Sequence, residues 1–532
     1  MAVDIMQWPG VMWQELRSLE LSVWIAILVA SLVLLGCFPY LKNLGKNLPP
    51  GPPSWPVLGS LMYLGGELHQ VLWELAKKHG PVMKVGLGQY TLIVISSAEA
   101  AEELMKKKDS EFSHRAARTI QRSAAKYIGI ESHDIAFAEY NPQLRLLRKF
   151  VATELFTNNR MIASSKIRTK EVGTLVTSVK KASDQGKPVD LREYLHTMTM
   201  NSICMMLFGK RYYGLDTPQT EEGETFARVI RDVFDNVGKL NFADLIPAMR
   251  WFDLQGIEAQ WKRIRPQADR MVGKIIEEHR QKKAYTGRTD HTDTRDFVDV
   301  LLTPMGNETL SDKAIMGTIF DMIMGGTDTT ATTIEWCVLE VVRYPEIQRK
   351  LREEIERVVG TERRVEESDI PNLPYLQAFV KEIFRLHTSV PLTLPRLNDN
   401  ASTLGGFDIP PLSTIFVNIY AIAHDPKYWE NPEEFNPDRF LTNNISVLGT
   451  DYELLPFGSG RRKCVGIQLG MASVTRTTAA LVQAFDWAPP PGVKPEDLDL
   501  SETYAIVLRK RIPLVAVATP RPEARFYEPE SL

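Results

Sequence analysis

The sequence predicts a mainly α fold with a minor β component (α+β), preceded by one membrane-spanning helix. Three observations carry this: an uncharged run from Leu21 to Tyr40, helical amphipathic periodicity through most of the chain beyond residue 60, and short strand-like runs such as Tyr90–Ile95 and Thr414–Val417 between turn signals. With 532 residues, 44% of them hydrophobic, the chain can bury one very large core or two moderate ones, which argues against a small binding module. Lys and Arg number 63 against 66 Asp and Glu, so the net charge of -3 gives no general electrostatic reason for a nucleic-acid partner. The cysteines, Cys37, Cys204, Cys337 and Cys464, are far apart with no CxxC spacing, so neither a disulfide framework nor a zinc site is indicated. Reduced thiols facing the cytosol fit that pattern.

The first element is the uncharged run. About 20 helical residues at roughly 1.5 Å each match a hydrocarbon core of about 30 Å. The competing reading is a cleaved signal peptide, but the run is longer than a typical apolar signal region and no A-x-A site follows. Asp4, Glu15 and Glu20 with a lone Arg17 precede the span, and Lys42 and Lys46 follow it, so residues 1–20 are expected in the lumen and the rest in the cytosol. Residues 41–60 contain Pro49, Pro50, Pro52, Pro53 and Pro56, which cannot continue a helix and read as a stiff hinge or an ordinary linker. The remainder, 61–532, shows no internal repeat, and its markedly polar stretch Lys282–Thr294 is expected to be an exposed loop.

Two segments carry candidate chemistry. Phe457-Gly458-Ser459-Gly460-Arg461-Arg462-Lys463-Cys464-Val465-Gly466 is a turn-rich loop leading into the helix-like Ile467–Ala480. A thiol near a helix start, with three successive cations before it, is expected to favour the thiolate that metal ligation or nucleophilic attack requires. Glycines on either side let the backbone approach a flat cofactor. The alternative for a lone cysteine is a small buried hydrophobe.

The second segment is Asp312–Arg343, long enough to cross a domain as one buried helix. Its centre, Gly325 to Thr333, holds two glycines and five threonines, which together cost roughly 5 kcal/mol relative to alanine. A local rule broken inside an otherwise consistent helix predicts a functional site, and the helix is expected to open there. Asp321, Asp328 and Glu335 stand seven apart along one stripe, so a solvated Asp328 is the bland alternative. In Tyr375–His387, Glu382 and Arg385 are helix-surface neighbours, and a solvated pair is the default for such spacing.

Taken together these residues resemble the cytochrome P450 superfamily. The haem-binding signature F-x-x-G-x-R-x-C-x-G is met by Phe457, Gly460, Arg462, Cys464 and Gly466, and the oxygen-binding helix pattern by Gly325, Gly326, Asp328, Thr329 and Thr330. The resemblance implies a cytochrome P450 fold in which 61–532 is a haem-thiolate monooxygenase domain. Cys464 is then the metal ligand, an anionic sulfur that pushes electron density through iron and favours O–O cleavage. Arg462, Arg396 and Arg148 are implied to meet the haem propionates, with Phe457, Gly458 and Gly466 packed around the cofactor. Thr329 is implied to hydrogen-bond dioxygen or its water, and Asp328 to relay protons. The family's E-x-x-R helix and its later P-x-R-F segment, here Pro437-Asp438-Arg439-Phe440, imply a buried structural trio of Glu382, Arg385 and Arg439. The chain departs from the family at Leu144, where the usual W-x-x-x-R motif has tryptophan, so an indole donor near Arg148 is missing.

The plant microsomal (A-type) branch, especially its phenylpropanoid and flavonoid hydroxylases, is the nearest in look. That implies haem b, electrons from NADPH through NADPH-cytochrome P450 reductase, and a small hydrophobic or aromatic substrate. It also implies single-pass residence in the endoplasmic reticulum membrane, in contact with its lipid and with the catalytic domain cytosolic. Terpenoid oxidation, a reductase-independent isomerase or dehydratase of the same fold, and a silent membrane-tethered scaffold are the competing functions; the intact Gly326-Thr327-Asp328-Thr329 favours oxygen activation over the isomerase. The expected substrate wall is apolar: Ile128, Ile130, Met322, Met324, Gly325, Val390, Leu392 and Ile506, with Thr393 and Tyr504 as polar groups, each of which is otherwise plain core.

Overall fold

The computed structural model describes residues 21–27, 45–214, 221–239, 241–286, 296–304 and 308–527. The expected membrane span, 21–40, falls largely outside the described residues, of which 21–27 are helical. Among the described residues no helix is long and apolar enough to cross a membrane. Residues 46–60 lie against the globular body: the Lys84 amide donates to the Pro50 carbonyl at 2.8 Å, and a Cβ on Gly51 would overlap the Lys84 carbonyl.

Helices dominate. The principal ones are α1 (Leu68–His79), α2 (Pro142–Phe150), α3 (Asn158–Ser183), α4 (Leu191–Phe208), α5 (Glu221–Val237), α6 (Ile257–Thr286), α7 (Asp312–Arg343), α8 (Pro345–Val359), α9 (Pro374–Leu386) and α10 (Ile467–Ala484). The polar stretch expected as a loop from Lys282 is helix as far as Thr286, where α6 ends; 287–295 lie outside the described residues. Local chemistry sets the ends of α7. The Ser311 hydroxyl accepts from the Ala314 amide at 3.2 Å, and Pro345 restricts Tyr344 at the other end.

The helix α7 spans the domain, packed against α4, α8, α9 and α10. Beside the helices is a five-stranded sheet in the order Val82–Leu87, Tyr90–Ile95, Thr414–Val417, Arg396–Leu397, His114–Arg115. The two runs with strand-like sequence are neighbours in it, paired in parallel with Leu92 opposite Thr414 and Ile95 opposite Val417. This sheet matters to the site because its inner edge presents Arg115 opposite Arg396.

The glycine–threonine centre of α7 does not open. The helix is continuous, and three threonine hydroxyls bond back to the carbonyl four residues earlier: Thr318 to Ala314, Thr329 to Gly325 and Thr333 to Thr329, at 2.7, 2.6 and 2.7 Å. At Gly326 a Cβ would sit 2.5 Å from the Ile203 side chain, so the glycine is where α4 and α7 make their close approach. Packing against α4 thus offsets the poor intrinsic propensity.

Candidate functional site

The Cys464 loop is closed by its own backbone: the Cys464 amide donates to the Phe457 carbonyl and the Lys463 amide to the Gly460 carbonyl, each at 3.0 Å. Gly460, at φ 70°, requires the absence of a side chain, since a Cβ would come within 2.4 Å of the Met105 carbonyl and 2.8 Å of the Asp109 carboxyl. The Asp109 carboxylate accepts from the Arg461 amide at 2.7 Å, fixing the loop to the segment after Lys107. The Cys464 thiol opens onto a cavity of about 370 Å³.

The three cations before Cys464 do not act as the sequence suggested. Arg461 turns to Asp109, the Lys463 ammonium reaches the Leu448 carbonyl, and Arg462 donates to the carbonyls of Ser113, Ile135 and Ala138. Burial pushes the Cys464 thiol up, and the Gly466 amide and the Arg148 guanidinium oppose this only in part. The reason is direction: Gly460–Arg462 forms a single 3-10 turn, which sends the cationic side chains to Asp109 and to distant carbonyls, away from the sulfur.

Of the five guanidiniums that line the cavity, Arg509 pairs with Asp328, and the other four, Arg115, Arg148, Arg396 and Arg462, interact with one another beside Cys464. Arg396 and Arg462 are buried, and burial together with repulsion from Arg396 and Arg148 pushes Arg462 down to about 9. Burial and repulsion from the other three push Arg115 well down. Their hydrogen bonds go mostly to carbonyls, Arg115 to Ala136 and Leu394, and Arg148 to Lys463. Asp109 alone among the described residues forms an ion pair with one of these four, Arg396, at 2.8 Å. A buried cluster of like charges with so little internal compensation is costly. It fits an anionic ligand, and the sulfur beside it fits a metal, so the donor set suits the thiolate-held, dicarboxylate haem b. Arg115 had no signal in periodicity; its position is set by strand pairing with Arg396.

Across the cavity stands α7. Gly325, Gly326, Asp328, Thr329 and Thr330 all line it, and a Cβ on Gly325 would meet nothing within 4 Å. Asp328 is not solvated: it is 1% exposed and its Oδ2 accepts from Arg509 Nε at 2.8 Å and from Arg509 Nη2. Its Oδ1 lies 3.4 Å from His196 Nε2. The whole stripe is partnered, since Asp321 accepts from the Ile135 amide and Glu335 pairs with Arg192. Burial pushes the His196 imidazole down, more than Asp328 raises it.

Of the expected wall, Ile128, Met322, Met324, Val390, Thr393 and Ile506 line the cavity. Ile130, Leu392 and Tyr504 do not. Leu392 precedes Thr393 in an extended segment and so faces the other way, into the cluster of Leu72, Val85 and Phe416. Tyr504 packs on that same cluster, and Ile130 belongs to the core around Leu147 and Ile319. Phe137, Phe234 and Phe297 on the wall were not anticipated, because their segments meet α7 only in three dimensions.

The Glu382, Arg385 and Arg439 side chains are joined. Arg385 makes two 2.7 Å bonds to Glu382, both side chains fully buried, and Arg439 Nε donates to Glu382 at 3.0 Å. In place of the family's usual tryptophan, Leu144 is buried and its amide is capped by Asn141, so no side-chain donor stands beside Arg148 there.

Comparison with known proteins agrees with this geometry. Residues 49–515 match the sequence profile of the cytochrome P450 family. A flavonoid 3'-monooxygenase of Arabidopsis thaliana is 35% identical over 516 residues, covering 95% of this chain and 99% of that protein. Cytochrome P450 98A1 of Sorghum bicolor is 38% identical over 513 residues, 95% of this chain and 97% of that one. A zebrafish cytochrome P450 solved with progesterone superposes with a TM-score of 0.70 at 25% identity, over 85% of this chain and 99% of that chain. The chain is a cytochrome P450 monooxygenase and belongs to that family.

Proposed function

We propose that the protein hydroxylates a small aromatic plant metabolite of the flavonoid or phenylpropanoid kind, using electrons from NADPH delivered by NADPH-cytochrome P450 reductase. The observation that carries this is the placement of the Cys464 thiol and the Asp328–Thr329 pair on one apolar cavity, with Arg115, Arg148, Arg396 and Arg462 on the side of the thiol. Relatives named for flavonoid 3'-monooxygenation and flavonoid 3',5'-hydroxylation support the substrate class.

Haem b bound here would be held by Cys464, with Arg115, Arg148, Arg396 and Arg462 as partners for its carboxylates, and it supplies oxygen activation. The chain's own residues do the rest. The Thr329 hydroxyl donates to the Gly325 carbonyl, which fixes the hydroxyl and leaves its oxygen able to accept a hydrogen bond in the cavity. Asp328 is buried, whereas its partners Arg509 and His196 have side chains 32% and 33% exposed, so the three form a path from solvent to the cavity. Burial moves His196 toward its neutral form, which both accepts and donates a proton, and Asp328 Oδ1, without a hydrogen-bond donor, is the receiving atom. Phe137, Phe234, Met322 and Val390 exclude water and orient a flat substrate.

Residence in the endoplasmic reticulum membrane, single-pass with the catalytic domain in the cytosol, is part of this proposal. Besides the uncharged run, exposed Trp251, Phe252 and Leu254 support it. Exposed Trp55, Leu58, Met62 and Tyr63 belong to a second segment that packs on the same cluster, through Val57 and Leu61, as the first does through Leu245 and Met249. The test is turnover: full-length protein in microsomes with reductase and NADPH, offered phenolics, flavonoids and terpenoids. Gain of one oxygen atom in an aromatic substrate is expected. Turnover of terpenoids alone would overturn the substrate class.

A further inference from the structure

Two carboxyls outside the Asp328 path, Asp134 buried and Asp321 half-buried, lie together where the loop after Tyr127 meets α7. Asp321, two turns before Asp328, lines the cavity, and its Oδ2 accepts from the amides of Ile135 at 2.6 Å and Ala136 at 3.3 Å. Asp134, 1% exposed, accepts from the Phe137 amide through Oδ2 at 2.9 Å, while its Oδ1 has no hydrogen-bond partner among the described residues. The two side chains are within hydrogen-bond reach of each other. Glycines make the room: a Cβ on Gly317 would lie 3.0 Å from the Asp134 Cα, and one on Gly129 3.0 Å from Asp134 Oδ1. The loop enters this place through Ile130, Glu131 and Ser132, three consecutive non-glycine residues at φ 48°, 57° and 65°. L side chains rarely adopt that region, so contacts rather than local preference hold the loop.

Two carboxylates in contact cannot both ionise at low cost. One proton between them supplies the donor that Asp134 Oδ1 lacks. Burial, with repulsion from Asp134, pushes Asp321 well up; burial pushes Asp134 up to about 6, against the Arg462 and Arg115 charges that face it. The surrounding wall, Ile128, Ile135, Phe137 and Met322, is apolar.

We propose that Asp321 is the polar anchor for substrate: sharing a proton with Asp134 and held by two loop amides, it hydrogen-bonds a neutral hydroxyl of the aromatic substrate. The inference rests on the aromatic-substrate reading and deepens it. It selects phenols over the same ring system with its hydroxyls capped.

The test uses full-length haem-loaded protein in microsomes, with substrate-binding difference spectra for two probes: the flavanone naringenin, and naringenin with every hydroxyl methylated. Asp321→Ala is expected to weaken naringenin binding about tenfold, the loss of one hydrogen bond, and to leave the methylated probe unchanged. Equal losses for both probes, as a purely structural loop clamp would produce, or no loss for either, would overturn the anchor. If Asp321→Ala fails to give the carbon monoxide band of folded protein, Asp321→Asn, which keeps shape and the amide bonds, replaces it. Reduced discrimination between the probes is then expected, and unchanged discrimination overturns the proposal. A second readout is independent of substrate: the infrared difference between wild type and Asp321→Asn at neutral pH should contain a protonated-carboxyl band, and its absence overturns the shared proton. Wild-type protein that binds neither probe counts against the aromatic-substrate reading, while the infrared band still decides the pair.

Discussion

Two arginine-rich regions of this molecule are buried, and they are built on opposite terms. Around Glu382 the charges close on themselves: Arg385 gives both bonds of its fork to the carboxylate and its remaining donors to the carbonyls of Ala423, Pro432 and Glu434, and Arg439 completes the set. Around Cys464 four guanidiniums converge with Asp109 as the one ion-paired carboxylate among the described residues, and repulsion from the neighbouring arginines helps to depress Arg115, Arg148 and Arg462. A closed network is architecture. An uncompensated one is chemistry directed at something the chain itself does not supply. The difference teaches that burial of an arginine says little until its counter-charges are traced.

The sharpest way to break this comparison is to remove Glu382. Glu382→Ala strands two buried cations and is expected to cost about 3–5 kcal/mol, so folded protein should fail to accumulate; normal yield would show that the network is dispensable. Next comes Cys464→Ala, which should abolish the red-shifted Soret band with carbon monoxide while the chain still folds, as followed by circular dichroism. Removal of one cavity cation should be milder: Arg148→Ala is expected to weaken haem retention on dilution with little change in the melting of the haem-free chain. A melting loss as large as that of Glu382→Ala would erase the distinction between the two regions. Smaller again is Thr329→Ala, expected to lower product formed per NADPH consumed at unchanged haem content, read by comparing the two rates.

The smallest effect is a pH dependence. Asp134 is raised to about 6 by burial, above the ordinary carboxylate value of about 3.9, so the folded state holds its proton where the unfolded chain has lost it. Its stabilisation is fully present below about 4 and is lost as pH rises through about 6, with Asp321 in contact and Arg115 and Arg462 facing it. The melting temperature of wild type relative to Asp134→Asn should therefore fall across that window; a constant difference would remove the burial argument.

What was legible in the sequence was whatever is encoded over a few consecutive residues. The turn around Cys464, the Asp312–Arg343 helix, the strands at Tyr90 and Thr414, and the three-residue spacing of Glu382 and Arg385 all belong to that class. Readings that extended a local rule into space fared worse. The Gly-Thr centre of α7 stays helical because Ile203 of α4 packs on Gly326, and the cations beside Cys464 turn to Asp109 and to carbonyls distant in sequence. Leu392 lies one residue from a true wall position yet faces the other way.

By itself, then, the sequence carried the short motifs by which the chain resembles its family, and through that resemblance the thiol and the helix that faces it; periodicity and turn chemistry, which act between near neighbours, gave the helical elements and the turn around Cys464. Only the tertiary structure decided that Arg509 and His196 serve Asp328, that Arg115 joins the cavity cations, and that Asp134 meets Asp321. Arg509 stands 181 residues from Asp328, and Ile135, the neighbour of Asp134 whose amide Asp321 accepts, stands 186 residues from Asp321. Electrostatic partnership depends on distance through space, and no pattern along the chain records which distant side chains the packing of the core will bring together.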